Sequence, residues 1–385
     1  MTRSLTLAFG ASLALFACRP IPESVDPMNA VAKREVGLPV LSLSWRFQVA
    51  DRTEDLKPQE FSSPAVNPAP HPADSMLYVG SQAGTLFALS AATGEIIWKR
   101  EVGAVSSRPI IFRGRLYVGT DDGSMVCLEA FDGVENWRYS TRGPVLQPPV
   151  VSDDLVLFSN EADHVYALDR ETGTFRWQYK SETPEEFTLR GHAGISLDGE
   201  LAFAGFSDGT LVALRAATGS VAWIKSLKGE AGRFVDVDAT PVVLDERVYA
   251  SSSGGGVYAL DKTTGFIHWR LRLTGAGPIT TDGERLYVAA ADQGVYAIDM
   301  GGNLLWRQGT QGGGEPAPPV VSGEYLLYGL SEDGLFVADK STGRVFQYFD
   351  PGYGVSAEPI LEGDRMYLMS NGGFLYALNL ERFAQ

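Results

Sequence analysis

Few side chains in this chain could do chemistry, and they do not form a set. The four histidines, His71, His164, His192 and His268, lie in separate stretches, without the short spacings at which metal ligands converge. His164 takes a turn position, and His268 precedes Trp269, where strand alternation turns it outward; both read as solvated side chains. Cys127 aligns with Ala88, Ala167, Ala213, Ala259, Ala297 and Ala377, a small buried position, so it reads as a small hydrophobe and not a nucleophile. Gly254-Gly255-Gly256 falls in a strand-to-strand turn with no helix after it, so it cradles no phosphate. No Ser/His/Asp set and no paired carboxylates can be assembled. The expectation is a chain that is not an enzyme and carries no catalytic residue, no metal and no cofactor.

The chemistry that remains is recognition. One stretch reads Phe187-Thr-Leu189-Arg190-Gly191, with two apolar residues and a guanidinium beside a glycine. Another reads Asp236-Val-Asp238-Ala-Thr-Pro241. Apolar anchors flanked by Arg supply much of the energy of protein interfaces. A local Arg190–carboxylate bridge that ties the two stretches together is the competing reading.

What positions these residues is a repeat. Trp98, Trp137, Trp177, Trp223, Trp269 and Trp306 each follow a glycine by four residues: Gly94, Gly133, Gly173, Gly219, Gly265 and Gly302. Trp45 holds the same place with no unit in front of it, and Ser341-Thr342-Gly343 leads to Phe346 and Gln347 where a Trp is expected. Such self-similarity marks an array of small units, each unable to bury its own face. All units but one, which opens at Gly194, open on Pro and a short apolar run, as in Pro109-Ile-Ile and Pro241-Val-Val. An alternating strand follows (LYVGT at 116–120), then a turn that is often Asp-Gly, a strand of the VYAL kind, a Thr-Gly turn and the Trp strand. Four short antiparallel strands per unit, with no helical periodicity, predict an all-β fold of propeller blades.

Counting the units predicts how the ring closes. Complete three-strand units begin near Pro64, Pro109, Pro149, Gly194, Pro241, Pro278, Pro319 and Pro359, which makes eight. The eighth lacks a Trp strand, and residues 42–49 are a Trp strand lacking a unit. The expected architecture is therefore an eight-bladed β-propeller over residues 42–382, its last blade completed by the N-terminal strand, which leaves no free sheet edge at the junction.

Residues 1–17 read as an export signal: Arg3 is the positive end, and Leu5 to Ala17 are apolar or small over a length too short to span a bilayer. The stretch ends Leu15-Phe16-Ala17-Cys18, which resembles a bacterial lipobox with Cys18 as the lipidated residue; an ordinary cleaved signal with an incidental cysteine is the alternative. Residues 18–41, rich in Pro and charge, then form a flexible tether. Arg19, where an aspartate would favour inner-membrane retention, favours the outer membrane. The formal net charge of −15 argues against a nucleic-acid or anionic-membrane footprint, so membrane contact is expected through the N-terminal lipid alone.

The connectors from a Trp strand to the next unit are unequal. They span 11, 12, 9 and 13 residues after Trp98, Trp137, Trp269 and Trp306, but 17 after Trp177, 18 after Trp223 and 19 after Trp45. All such connectors cross one face of a propeller, so the long ones at 181–193 and 227–240 should stand side by side. These carry the two recognition stretches, and long loops on a rigid scaffold are where binding tends to reside.

The repeat resembles the pyrroloquinoline-quinone type over essentially all of residues 42–380. Enzymes of that type carry a calcium site, and many have a disulfide between adjacent cysteines; this chain has no adjacent cysteines and lacks their long insertions. The lipobox, the eight blades and the two loops are together similar to the BamB family, lipoproteins of the outer-membrane β-barrel assembly machinery. The resemblance implies a non-enzymatic scaffold on the periplasmic side of the outer membrane. It implies docking to the POTRA domains of BamA, contact with other assembly subunits, and acceptance of nascent outer-membrane proteins at blade edges. It carries the BamA-binding role onto Leu189, Arg190, Asp236 and Asp238, and onto Phe187, which stands where an aliphatic residue is usual. A lipid-anchored propeller serving another envelope assembly or ligand is the second reading, and a quinone-dependent dehydrogenase the third.

Overall fold

A computed structural model describes residues 40–381 apart from 53–54, 56–57, 182–192, 230–234, 292 and 311–312. The described strands form eight four-stranded antiparallel sheets. Blade 3 shows the pattern: Val150–Val151, Leu155–Asn160, His164–Asp169 and Phe175–Lys180 pair in order, from the propeller axis outward. The middle strands of each blade are buried on both faces, because neighbouring blades cover them, and they read as near-continuous apolar runs. The outer strand is mostly exposed, with its Trp buried and the residue two further on half-buried, so the Trp position is the one that must be apolar. His164, expected in a turn, begins the third strand of blade 3, where its ring stacks on Tyr166. Cys127 is fully buried, opposite Trp137 in the ladder.

In chain order the blades occupy 65–101, 110–140, 150–180, 195–226, 242–271, 276–308 and 320–349, four strands each, and 360–380 with three. The last is completed by Leu41–Gln48, paired antiparallel with Phe374–Leu380. In blade 6 the first strand starts at Ala276, ahead of Pro278. The ladder shifts register between Ala276 and Ile279, so the proline sits at an irregularity where no ladder donor is required.

The seams between blades explain the repeat. Each Trp ring lies on the glycine of the next blade's Thr-Gly-type turn, and its indole N–H donates to a carbonyl of that turn at 2.9–3.1 Å: Trp98 to Ala130, Trp137 to Arg170, Trp177 to Ala216, Trp223 to Lys262, Trp269 to Met300, Trp306 to Lys340. Trp45 of the closing strand does the same to Ala91 of blade 1. The glycine is obligatory on two counts. Gly173 has φ +70°, and a Cβ there would stand 2.5 Å from the Trp137 ring. The hydrophobic clusters follow the same logic: Tyr78, Leu86 and Trp98 of blade 1 pack with Leu116, Val126 and Leu128 of blade 2.

Seven tryptophans serve seven seams. At the eighth, between blades 7 and 8, the last blade has no turn between its third and fourth strands, because the chain is cut there. No glycine exists for an indole to cover. Gln347 takes the Trp position, paired with Val337 as Trp306 is with Ala297. Its buried Oε1 accepts from the backbone N–H of Val40 at 2.7 Å and of Leu41 at 3.0 Å. The departure from the repeat is thus the fitting for the chain's own N-terminal strand.

The closing strand enters at Leu41, opposite Leu380, and leaves at Gln48, opposite Phe374. Its entry therefore lies on the face of the Thr-Gly turns, and the connectors between blades cross the other face. In the ring, blade 8 stands across from blade 4, which both long connectors at 181–193 and 227–240 adjoin.

Candidate interaction surface and axial cavity

The connectors share a construction. Val105, Val145, Val237 and Val355, each four residues before the proline of the next unit, plug onto a glycine ending the second strand of the preceding blade. At Gly205 a Cβ would meet Val237 at 2.4 Å, so glycine is needed to seat the valine. Val237 is fixed further by its N–H donating to Phe206 O at 3.1 Å. The sequence Asp236-Val-Asp238 is therefore a repeat plug with a carboxylate on each side.

The two carboxylates differ. Asp236 is buried, and its backbone carbonyl accepts from Ser253 N–H at 3.0 Å. Asp238 points toward the axis. One oxygen receives the Ser253 hydroxyl at 3.4 Å, and the other, Oδ1, is buried without a hydrogen-bond partner. Burial, with Asp236 and Glu315 nearby, pushes the Asp238 carboxyl up to about 6. It lines a cavity of about 630 Å³ on the propeller axis, together with Arg108, Glu358 and a wall of Pro and Ile.

Phe187, Leu189, Arg190 and His192 fall within 182–192, outside the described residues. The described ends of the two long connectors do meet. Gly194 N–H donates to Thr240 Oγ1 at 3.1 Å, joining the axial end of the first to that of the second. At the outer end of the first, Ser181 donates to Asp208 of the blade 4 hairpin at 3.0 Å, and beside it Asp163 of blade 3 accepts from Ser207 N–H at 3.1 Å and from its hydroxyl. The second begins on the same hairpin, with Leu227 N–H donating to Gly209 O at 2.8 Å. Both connectors cross the same face on a shared hydrogen-bonded base. Among the expected interaction residues, the structure thus locates Asp236 as a buried support and Asp238 as an axial group.

Two features escaped the sequence reading. Glu60, four residues before Pro64, stands where other connectors place the valine plug, yet it is fully buried. It accepts from Gln82 N–H and pairs with Arg52 at 3.2 Å, and its own N–H donates to Asn371. Burial raises its carboxyl to about 7 against these partners. Alignment on Pro minus four carries the signal. The second feature is the Arg108–Glu358 ion pair, 3.1 Å long, joining blades 2 and 8 across the cavity wall. Among the described residues no group of three His, Cys, Asp or Glu could hold a metal, and no helix is long and apolar enough to cross a membrane.

A family profile described as outer membrane protein assembly factor BamB matches residues 42–112, 102–300, 245–343 and 295–382. The chain is 26% identical over 321 residues to the protein of that name from Shewanella oneidensis, covering 78% of this chain and 79% of the relative. It is 28% identical over 257 residues to that from Escherichia coli, covering 62% and 65%. The crystal structure of BamB from Moraxella catarrhalis superposes with a TM-score of 0.74 at 22% identity, over 88% of this chain and all of that one. A quinohemoprotein alcohol dehydrogenase from Comamonas testosteroni superposes nearly as well, with a TM-score of 0.72 at 15% identity over 94% and 78%. At such identities the superpositions establish the propeller alone, and the sequence matches separate the two classes.

Proposed function

Since the chain belongs to the BamB family of outer membrane protein assembly factors, we propose that it works as a non-enzymatic scaffold of the β-barrel assembly complex, with the paired long connectors flanking blade 4 as its docking surface for the POTRA domains of BamA. The supporting observation is the family match along residues 42–382, on a propeller whose long neighbouring connectors share one base. Phe187 and Leu189 supply apolar anchors and Arg190 the guanidinium. Asp236 and Asp238 hold and charge the root of the second connector. Other assembly subunits and nascent outer-membrane strands are further partners in this reading, the latter by β-addition at outer blade edges. Those edges are guarded: every outer strand carries a register shift just before its Trp or the equivalent Gln347, which twists it away from flat pairing.

In this reading the protein sits on the periplasmic side of the outer membrane, held by lipid on Cys18, which lies outside the described residues, as do the 1–17 signal and most of the 18–41 tether. The docking test is co-purification with BamA after reversing charge at Arg190 and Asp238 together (Arg190→Glu, Asp238→Lys). Loss of BamA with a retained fold is expected, and undiminished recovery removes the site. Cys18→Ser is expected to abolish palmitate labelling; unchanged labelling removes the anchor.

A further inference from the structure

The axial cavity is not explained by docking at the connector tips. Its volume of about 630 Å³ falls in the range of small-molecule sites. Its wall is poor in backbone donors for a structural reason. Prolines open or interrupt the first strand in seven of the eight blades, removing backbone N–H groups that would otherwise face the axis. In the remaining blade the Gly194 N–H is taken by Thr240. Arg108 is the cation of the wall, and Glu358 pairs with it at 3.1 Å.

Against this background two buried polar atoms of the wall, Asp238 Oδ1 and Ser356 Oγ, have no hydrogen-bond partner. A carboxylate oxygen withdrawn from water is costly unless something donates to it. The Pro-rich flanks, including Pro149, Pro241, Pro278 and Ile279, offer apolar contact but no donor.

We propose that the axial cavity is a binding site for a small organic cation, an alkyl- or arylammonium whose charged end donates to Asp238 Oδ1 while its apolar body lies against the proline-rich wall. Ser356 Oγ, on the connector into blade 8, is left to a polar substituent at the ligand's other end. An anion of the same shape is excluded, because it would face two carboxylates with Arg108 already engaged. Burial holds the Asp238 carboxyl near 6 in the free protein, so binding weakens as pH falls below that value and the proton competes with the ligand.

The test uses the isolated, full-length processed protein without assembly partners, so its outcome is independent of docking. Calorimetric titration at pH 7.5 with benzylammonium and 1,5-diaminopentane, and with benzoate as the control of opposite charge, is expected to give one site for the ammonium probes and none for benzoate. Asp238→Asn is expected to weaken ammonium binding at least tenfold. Ser356→Ala is expected to weaken it a few-fold, and wild-type affinity is expected to drop about tenfold from pH 7.5 to pH 5. No ammonium binding, equal binding by benzoate, or affinity indifferent both to Asp238→Asn and to pH would each overturn the assignment and leave the cavity to ordered water. The pH arm decides the matter if Asp238→Asn does not fold.

Discussion

Seven of the seams around this ring are made one way and the eighth another, and the contrast separates what the repeat needs from what closure needs. Each of the seven lays an indole on a glycine turn and spends its one N–H on a carbonyl of that turn. The eighth has no turn to receive a plate, and Gln347 instead presents an acceptor to two amides at the start of the N-terminal strand. An indole can donate only, whereas the start of a strand offers N–H groups that need an acceptor. The substitution follows from the hydrogen-bond requirement reversing at the point where the chain is cut.

Removing the closing strand is the most severe test of this contrast. Deleting residues 40–48 strips Trp45 from one seam and both Gln347 partners, Val40 and Leu41, from the other. A loss of more than about 5 kcal/mol is expected, enough to abolish cooperative urea unfolding. Trp137→Ala should cost about 3–5 kcal/mol, from a buried plate lost with its hydrogen bond. Gln347→Ala should cost about 1–3 kcal/mol, chiefly by leaving buried amides unpaired. Equal losses in the last two variants, measured by urea midpoint at constant m-value, would erase the distinction. Restoring the repeat with Gln347→Trp is expected to destabilise by about 1–3 kcal/mol through overpacking against Val40 and Leu41; stabilisation would show that the seam merely lacks its indole.

The smallest expected effect is a pH dependence near the seam between blades 8 and 1, where Glu60 replaces the valine plug. Its folded carboxyl lies near 7 against 4.5 for the free side chain, and that of Asp238 near 6 against 3.8. A raised carboxyl binds its proton more tightly in the folded state, so stability increases as pH falls through the folded value. The gain is complete only below the free one. Between pH 8 and pH 6 a rise of about 1–2 kcal/mol is expected, mostly from Glu60. Glu60→Gln should flatten most of it in thermal unfolding scans.

The blades were legible in the sequence because strand burial imposes a period on residue type: continuous apolar runs where neighbours cover both faces, and a lone Trp where one face is covered. Closure was legible by counting, since Trp45 and the truncated last unit are complementary. The purpose of Gln347 was not, because its partners are backbone amides 306 and 307 residues away, and amides leave no trace in residue identity. The paths of the connectors were only partly legible. Their lengths set apart the pair that flanks blade 4, but Asp238 faces the axis only because Val237 is seated on Gly205, a relation visible in sequence through its spacing from Pro241. Phe187, Leu189 and Arg190 are singled out by connector length and residue type, and their BamA-binding role comes from the resemblance.

The placement of the entry strand has a mechanical consequence. The chain joins the disc at the rim of blade 8 on the turn face, and the described ends of the long connectors lie beside blade 4 on the opposite face. For a protein held through Cys18, the 22 residues from there to Val40 pay out to roughly 75 Å when fully extended. In the proposed arrangement such a disc is tethered at one edge and gripped at the far one. A small tilt at the tethered edge becomes the largest displacement the body allows at the gripped one, and a partner gripping the connectors acts with the full diameter as its lever arm.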